Sequence, residues 1–102
     1  MNLSIAICCH NSVQRIEATL RHLQSQKNIT PEEWEILLID NASHDHTTEF
    51  AKKVWLENPI CEMKLLQEKR LGLSHARDRA FQEASGDIVC FIDDDNWANP
   101  YW

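Results

Sequence analysis

Four short apolar runs, separated by segments whose apolar residues recur at helical spacing, leave this chain few folds to choose from. Leu3 to Cys9, Glu35 to Ile39 and Ile88 to Ile92 are nearly unbroken apolar stretches, and Met63, Leu65 and Leu66 mark a weaker one. The run Ile88 to Ile92, rich in β-branched residues, reads as a strand covered on both faces. Between the runs, Val13, Ile16, Leu20 and Leu23 form one helical stripe, with Asn11 or Ser12 as its cap. Phe50, Ala51, Val54 and Trp55 form a second, opened by Ser43 or Asp45 and stopped at Asn58-Pro59. Leu73, Ala76, Ala80, Phe81 and Ala84 form a third, ended at Gly86. The order β-α-β-α-β-α-β predicts an α/β fold, a mostly parallel sheet with flanking helices and right-handed crossovers. At 102 residues the chain is one domain at most.

A parallel sheet puts all its strand C-termini on one edge, and the polar residues of this chain gather there. The first strand is followed by His10, Asn11 and Ser12, and the second by Asp40, Asn41, Ser43 and Asp45. The last runs straight into Asp93, Asp94, Asp95 and Asn96. Three adjacent carboxylates repel one another and call for solvation or a counter-charge. A hard divalent cation, Mg²⁺ or Mn²⁺, takes such oxygen ligands together with substrate phosphates. Open α/β sheets bind ligands at this edge, where helix N-termini also favour phosphate. Arg70 and Arg77, on either side of Gly72, are placed to add charge-assisted contacts to a diphosphate. No P-loop and no dinucleotide fingerprint occurs.

The net charge of −6 argues against a general nucleic-acid binder, which shows a basic stripe. No apolar run approaches the ~20 residues of a transmembrane helix, and Met1 to Cys9 lacks the basic segment of a secretory signal. Cys8, Cys9, Cys61 and Cys90 form no C-x-x-C pair and read as reduced core residues of a cytoplasmic protein.

Four segments, in order, resemble the first half of a family 2 glycosyltransferase of the GT-A fold. Ser4 to Asn11 is similar to the family's opening strand and Asn-containing turn, and Leu38 to Thr47 to its second strand and acidic, Ser-containing loop. Gly72-Leu73-Ser74-His75-Ala76-Arg77-Asp78 resembles the Gly-x-x-x-Ala-Arg-Asn segment, and Gly86 to Asp95 the strand leading into an Asp-x-Asp motif. The resemblance implies a Rossmann-like nucleotide-binding half. Residues 1–102 would be a single nucleotide-diphospho-sugar-binding domain, the N-terminal part of a longer glycosyltransferase domain.

It also implies an activity: metal-dependent transfer of a sugar from a nucleotide-diphosphate donor to a saccharide, lipid or other hydroxyl acceptor, with inversion. Asp40 would accept a hydrogen bond from the base, and the backbone of Cys9, His10 and Asn11 would line its pocket. Arg77 would contact the nucleotide or its diphosphate. Asp93 would reach the ribose or a water of the metal, Asp94 would hold the variable middle position beside the nucleotide sugar, and Asp95 would ligate the cation directly. The implied location is cytoplasmic, or the cytoplasmic face of a membrane.

The sequence departs from the family pattern in places. Pro-Thr-Tyr-Asn is Cys8-Cys9-His10-Asn11 here, Asp-Gly-Ser is Asn41-Ala42-Ser43, the Asn after Ala-Arg is Asp78, and the Gly that often follows is Ala80. Family domains are longer, and the general base that activates the acceptor is expected beyond Trp102.

Other readings of the same residues predict different things. A zinc site would use His44 and His46, a hydrolase would pair a Ser or Cys with His10 or His75, and a receiver domain would place an acidic pair after the first strand. A non-catalytic nucleotide-sugar-binding module would keep the donor site without transfer.

Overall fold

The computed structural model describes residues 2–27 and 29–93. Asp94, Asp95 and Asn96 lie outside the described residues, and Asp93 enters only as a strand position. Strands β1 (Leu3–Cys9), β2 (Trp34–Asn41), β3 (Glu62–Glu68) and β4 (Ile88–Asp93) alternate with helices α1 (Ile16–Gln24), α2 (Thr47–Leu56) and α3 (Leu73–Glu83). All strand pairs are parallel, in the order β3-β2-β1-β4. The expected α/β class and element order are those observed.

That order explains the layering. The chain steps outward from β1 to β2 to β3, then returns past β1 to β4. Right-handed crossovers put α1 and α2 on one face, and the reversal sends α3 to the other. Ile5, Ile7 and Cys9 of β1 and Ile36 and Leu38 of β2 pack with Ile16, Leu20 and Leu23 of α1 and Val54 and Trp55 of α2. The alternate residues Ala6, Leu37 and Ile39 meet Ala76 and Ala80 of α3. Methyl groups at both contact positions on α3 suit a close approach of that helix to the sheet.

Three expectations are corrected. Leu73 and Phe81 are 50% and 62% exposed rather than inward, because Ala76 and Ala80, one turn apart, already fill the sheet-facing stripe. Phe81 instead meets the ring of Phe91 edge-on at 5.4 Å. β4 is covered only in part: Ile92 packs on the α1 and α2 face and Val89 and Phe91 on the α3 face, but it is an edge strand among the described residues, and Ile88 is 62% exposed. The helices also begin later than their cap candidates suggest. α1 starts at Ile16, whose N–H reaches the Ser12 carbonyl at 2.9 Å, while the Ser12 hydroxyl accepts from the His10 N–H at 3.1 Å. Val13 therefore lies ahead of the helix, and α2 starts at Thr47. All four cysteines are free thiols; Cys9 and Cys61 are buried and Cys8 and Cys90 half-buried. Burial, with Glu35 and Glu62 nearby, pushes the Cys61 thiol up to about 12.

At the edge opposite the polar rim, Glu35 is fully buried at the start of β2. Its carboxylate accepts from the Ser4 hydroxyl (2.6 Å) and the Ser85 N–H (2.7 Å), and pairs with Lys64 at 3.1 Å. The Ser4 hydroxyl in turn accepts from the Gly86 N–H at 2.9 Å. A Cβ on Gly86 would stand 2.7 Å from main-chain atoms of Leu3 and Ser4, so only glycine lets the α3–β4 turn approach this closely. The network joins β1, β2, β3 and the entry to β4, and gives the sheet a fixed lower edge from which the upper rim is built.

Candidate functional site

Strand register assembles the rim. Cys9 lies opposite Asp40, Cys8 opposite Asp93, and Asn41 opposite Glu68. The direction of winding reverses between β1 and β4, which is where open α/β sheets form a binding crevice.

Among the described residues, two clefts open along this rim. The first, about 350 Å³, is contributed by Cys8, Cys9 and His10 of the β1 end, Arg15, Asn41 of β2, and Leu71 to Leu73 before α3. Leu71 and Leu73 are 65% and 50% exposed and bring apolar surface to it, the kind of surface that covers the face of an aromatic ring. The second, about 310 Å³ and mostly polar, lies between β2, β3 and the start of α2. It is lined by Asp40, Ser43, His44, His46, Thr47, Thr48, Glu49 and Gln67.

Successive strand residues face opposite ways, and this separates Asp40 from Asn41. Asp40 is 6% exposed, and its two oxygens accept from the Ser43 N–H (3.2 Å) and the Thr48 hydroxyl (2.7 Å). It thereby holds the loop that opens α2. Asn41 reaches the other way: its amide donates to the carbonyls of Glu68 (3.1 Å) and Arg70 (2.8 Å) and accepts from the Gly72 N–H (2.9 Å). Its main-chain carbonyl takes the Nδ1–H of His10 at 2.6 Å, which leaves Nε2 to accept from the Asn11 amide at 3.3 Å.

The loops themselves are cross-tied. Asn11 donates its N–H to the Ser43 hydroxyl (2.9 Å), and its side-chain oxygen accepts from the His44 N–H (2.7 Å). The Ser12 N–H donates to the Thr47 hydroxyl at 2.9 Å. Asp45 accepts from the N–H groups of Val13 and Thr47, both at 3.2 Å, and from the Thr47 hydroxyl. Burial pushes the Asp45 carboxyl up, but these bonds outweigh it and hold the group below the ordinary range.

All three non-glycine residues with positive φ among the described residues, Asn11 (51°), Ala42 (58°) and His46 (62°), lie in these loops. Backbone strain gathers where geometry is over-determined. Ala42 has no polar side chain to offset the left-handed conformation, so Ala42→Gly is expected to stabilise the fold by about 1 kcal/mol in urea denaturation. Gly72, with φ 138°, has a conformation that suits glycine alone.

The structure therefore brings Cys9 and His10 together in the first cleft, ties Asn11 to its edge, and places Asp40 in the second. Arg77 is exposed and sits over the Phe91 ring, 5.6 Å from its centre, on the α3 side of the sheet. Arg70 is turned onto Glu68 rather than left open: Nε and a terminal nitrogen each reach a carboxylate oxygen at 3.1 Å, and its own N–H adds a third bond at 3.0 Å. Those bonds hold the Glu68 carboxyl down at about 2. His46 pairs with Glu49 at 2.9 Å, and among the described residues no three His, Cys, Asp or Glu side chains are grouped to hold a metal. Sequence reading missed that Arg15 and the leucines beside Gly72 line the first cleft, and that the Asn41 amide ties its loops. Only the Gly between two arginines signalled that the last segment bends toward the rim.

A family model described as Glycosyl transferase family 2 matches residues 4–102. The chain belongs to this family. It is 34% identical over 94 residues to a cholesterol galactosyltransferase of Borreliella burgdorferi, a match covering 92% of this chain and 25% of that protein. It is similar to the solved structure of S. aureus TarS 1-349 in complex with UDP, with a TM-score of 0.88 and 26% identity over 99% of this chain and 29% of that one. It is similar too to mannosyltransferase PcManGT from Pyrobaculum calidifontis in complex with GDP-Man and Mn²⁺, with a TM-score of 0.85 and 25% identity, covering 92% of this chain and 27% of that one. The chain thus spans under a third of the length of each of these proteins.

Proposed function

We propose that this glycosyl transferase family 2 chain holds the nucleotide diphosphate of a sugar donor in the first cleft, and that the protein transfers the sugar with inversion to an acceptor hydroxyl. The observation that carries the reading is the position of that cleft. It lies at the C-terminal ends of β1 and β2, where Asn41 contributes to it, and next to the end of β4, from which the chain runs into Asp93, Asp94 and Asp95. Similar structures hold UDP in one case and GDP-Man with Mn²⁺ in the other, which supports a nucleotide at this edge.

In this reading the base lies against Cys9, His10 and Asn11, with the exposed Leu71 and Leu73 covering its face. Asp40 contributes through the loop it holds, and Arg77 reaches the nucleotide or its diphosphate. The carboxylates Asp93 and Asp95 are hard oxygen donors that fit a divalent cation, Mg²⁺ or Mn²⁺. That cation would supply Lewis-acid stabilisation of the departing diphosphate. The acceptor is a saccharide, lipid or other hydroxyl compound. Four free thiols support a cytoplasmic setting.

An amide-resolved NMR titration with UDP and GDP tests the placement. Shifts are expected at Cys9, His10, Asn11 and Gly72. Shifts confined to residues 43–49, or none at saturating nucleotide, would contradict it. Nucleotide-sugar binding by the full-length protein without transfer would favour a non-catalytic binding module.

A further inference from the structure

We propose that Asn41 is the positioning residue of the nucleotide cleft, pinning its two sides at once. The inference rests on the reading of the first cleft as the nucleotide site. Asn41 is 5% exposed and makes four hydrogen bonds that cross between elements. Three run from its amide to the main chain of Glu68, Arg70 and Gly72, and so fix the segment that brings Leu71 and Leu73 to the cleft. The fourth runs from His10 to the main-chain carbonyl of Asn41 and fixes the imidazole on the β1 side.

The chemistry is specific to an amide. Asn41 has two N–H donors and both are used on carbonyls, while its oxygen accepts the Gly72 N–H. A carboxylate side chain would retain only the Gly72 bond, with the main-chain bond from His10 unaffected, and its charge would face the Glu68 and Arg70 carbonyls, next to the ionised Glu68 side chain. The family pattern it resembles has Asp at this position. With both donors occupied, the Asn41 side chain acts on the nucleotide through the 70–72 segment rather than by donating to the base edge, and its main-chain carbonyl acts through His10.

The test is Asn41→Asp, titrated calorimetrically with UDP, GDP and inorganic diphosphate, each with Mn²⁺, alongside hydrogen exchange at the Gly72 amide. UDP and GDP affinity is expected to fall by a similar factor, roughly tenfold for the loss of two hydrogen bonds. Inorganic diphosphate should bind as before, and Gly72 exchange should accelerate. Unchanged nucleotide affinity would overturn the inference. So would a loss that differs between UDP and GDP, which marks a direct reader, or a parallel loss of diphosphate, which marks a general structural role. Should Asn41→Asp not fold, the wild-type protein decides: nucleotide is expected to slow exchange of the Gly72 N–H and the Asn41 amide protons, and unprotected exchange in both states would overturn the inference. If wild-type protein binds neither nucleotide, the functional reading fails and this inference with it; if it binds and Asn41→Asp binds equally, this inference fails alone.

Discussion

Asp95→Ala is expected to remove the Mn²⁺-dependent part of nucleoside diphosphate binding, weakening affinity roughly 100-fold, the equivalent of ~3 kcal/mol. Asp93→Ala should cost less, and Asp94→Ala least. The expectation starts from three consecutive carboxylates at the end of a strand that packs beside β1. In water alone they gain little from adjacency and repel one another. With a divalent cation and a diphosphate present, the same arrangement has its charge matched on both sides. Asp94 and Asp95 lie outside the described residues, so the order of effects comes from the Asp-x-Asp pattern. If Asp94→Ala proves the most damaging of the three, the metal register is shifted by one residue.

Glu35→Ala is expected to destabilise the fold by about 3 kcal/mol, a large share of a typical domain stability of roughly 5–15 kcal/mol. The substitution leaves Lys64, only 30% exposed, without its partner, and strips the Ser4 hydroxyl and Ser85 N–H of theirs. The pH dependence has a definite sign. Burial pushes the Glu35 carboxyl up, but the Ser4, Ser85 and Lys64 contacts outweigh it and leave the group below its ordinary value. Its contribution is therefore fully present above the unfolded carboxyl range, roughly pH 4–5, and is lost as pH falls through the depressed folded value. Urea denaturation across acid pH should show wild-type protein losing stability more steeply than Glu35→Ala. Parallel curves would show that the carboxylate is not the group at work.

The element order was legible because unbroken apolar runs and period-3.6 apolar stripes survive in a single sequence. So was the gathering of polar residues at one rim, which follows from parallel strands alone. What stayed hidden depended on neighbours. Glu35 reads in sequence as the start of an apolar strand, and only the pairing of β2 with β1 and β3 brings Ser4 and Lys64 to it. Leu73 and Phe81 share a helical stripe with Ala76 and Ala80, but α3 meets the sheet through the alanines. Asp40 and Asn41 are adjacent letters whose side chains serve different clefts, a division set by strand alternation and by which loop each meets. Arg70 looked available for a phosphate until Glu68, opposite Asn41 at the end of β3, supplied a closer partner.

The most direct measurement is calorimetric titration of the wild-type protein with UDP and GDP, in Mn²⁺ and again in EDTA. The account predicts one nucleoside diphosphate per chain, bound tightly with Mn²⁺ and at least roughly tenfold more weakly without it. Equal affinity in Mn²⁺ and EDTA, or no binding in either, would contradict it.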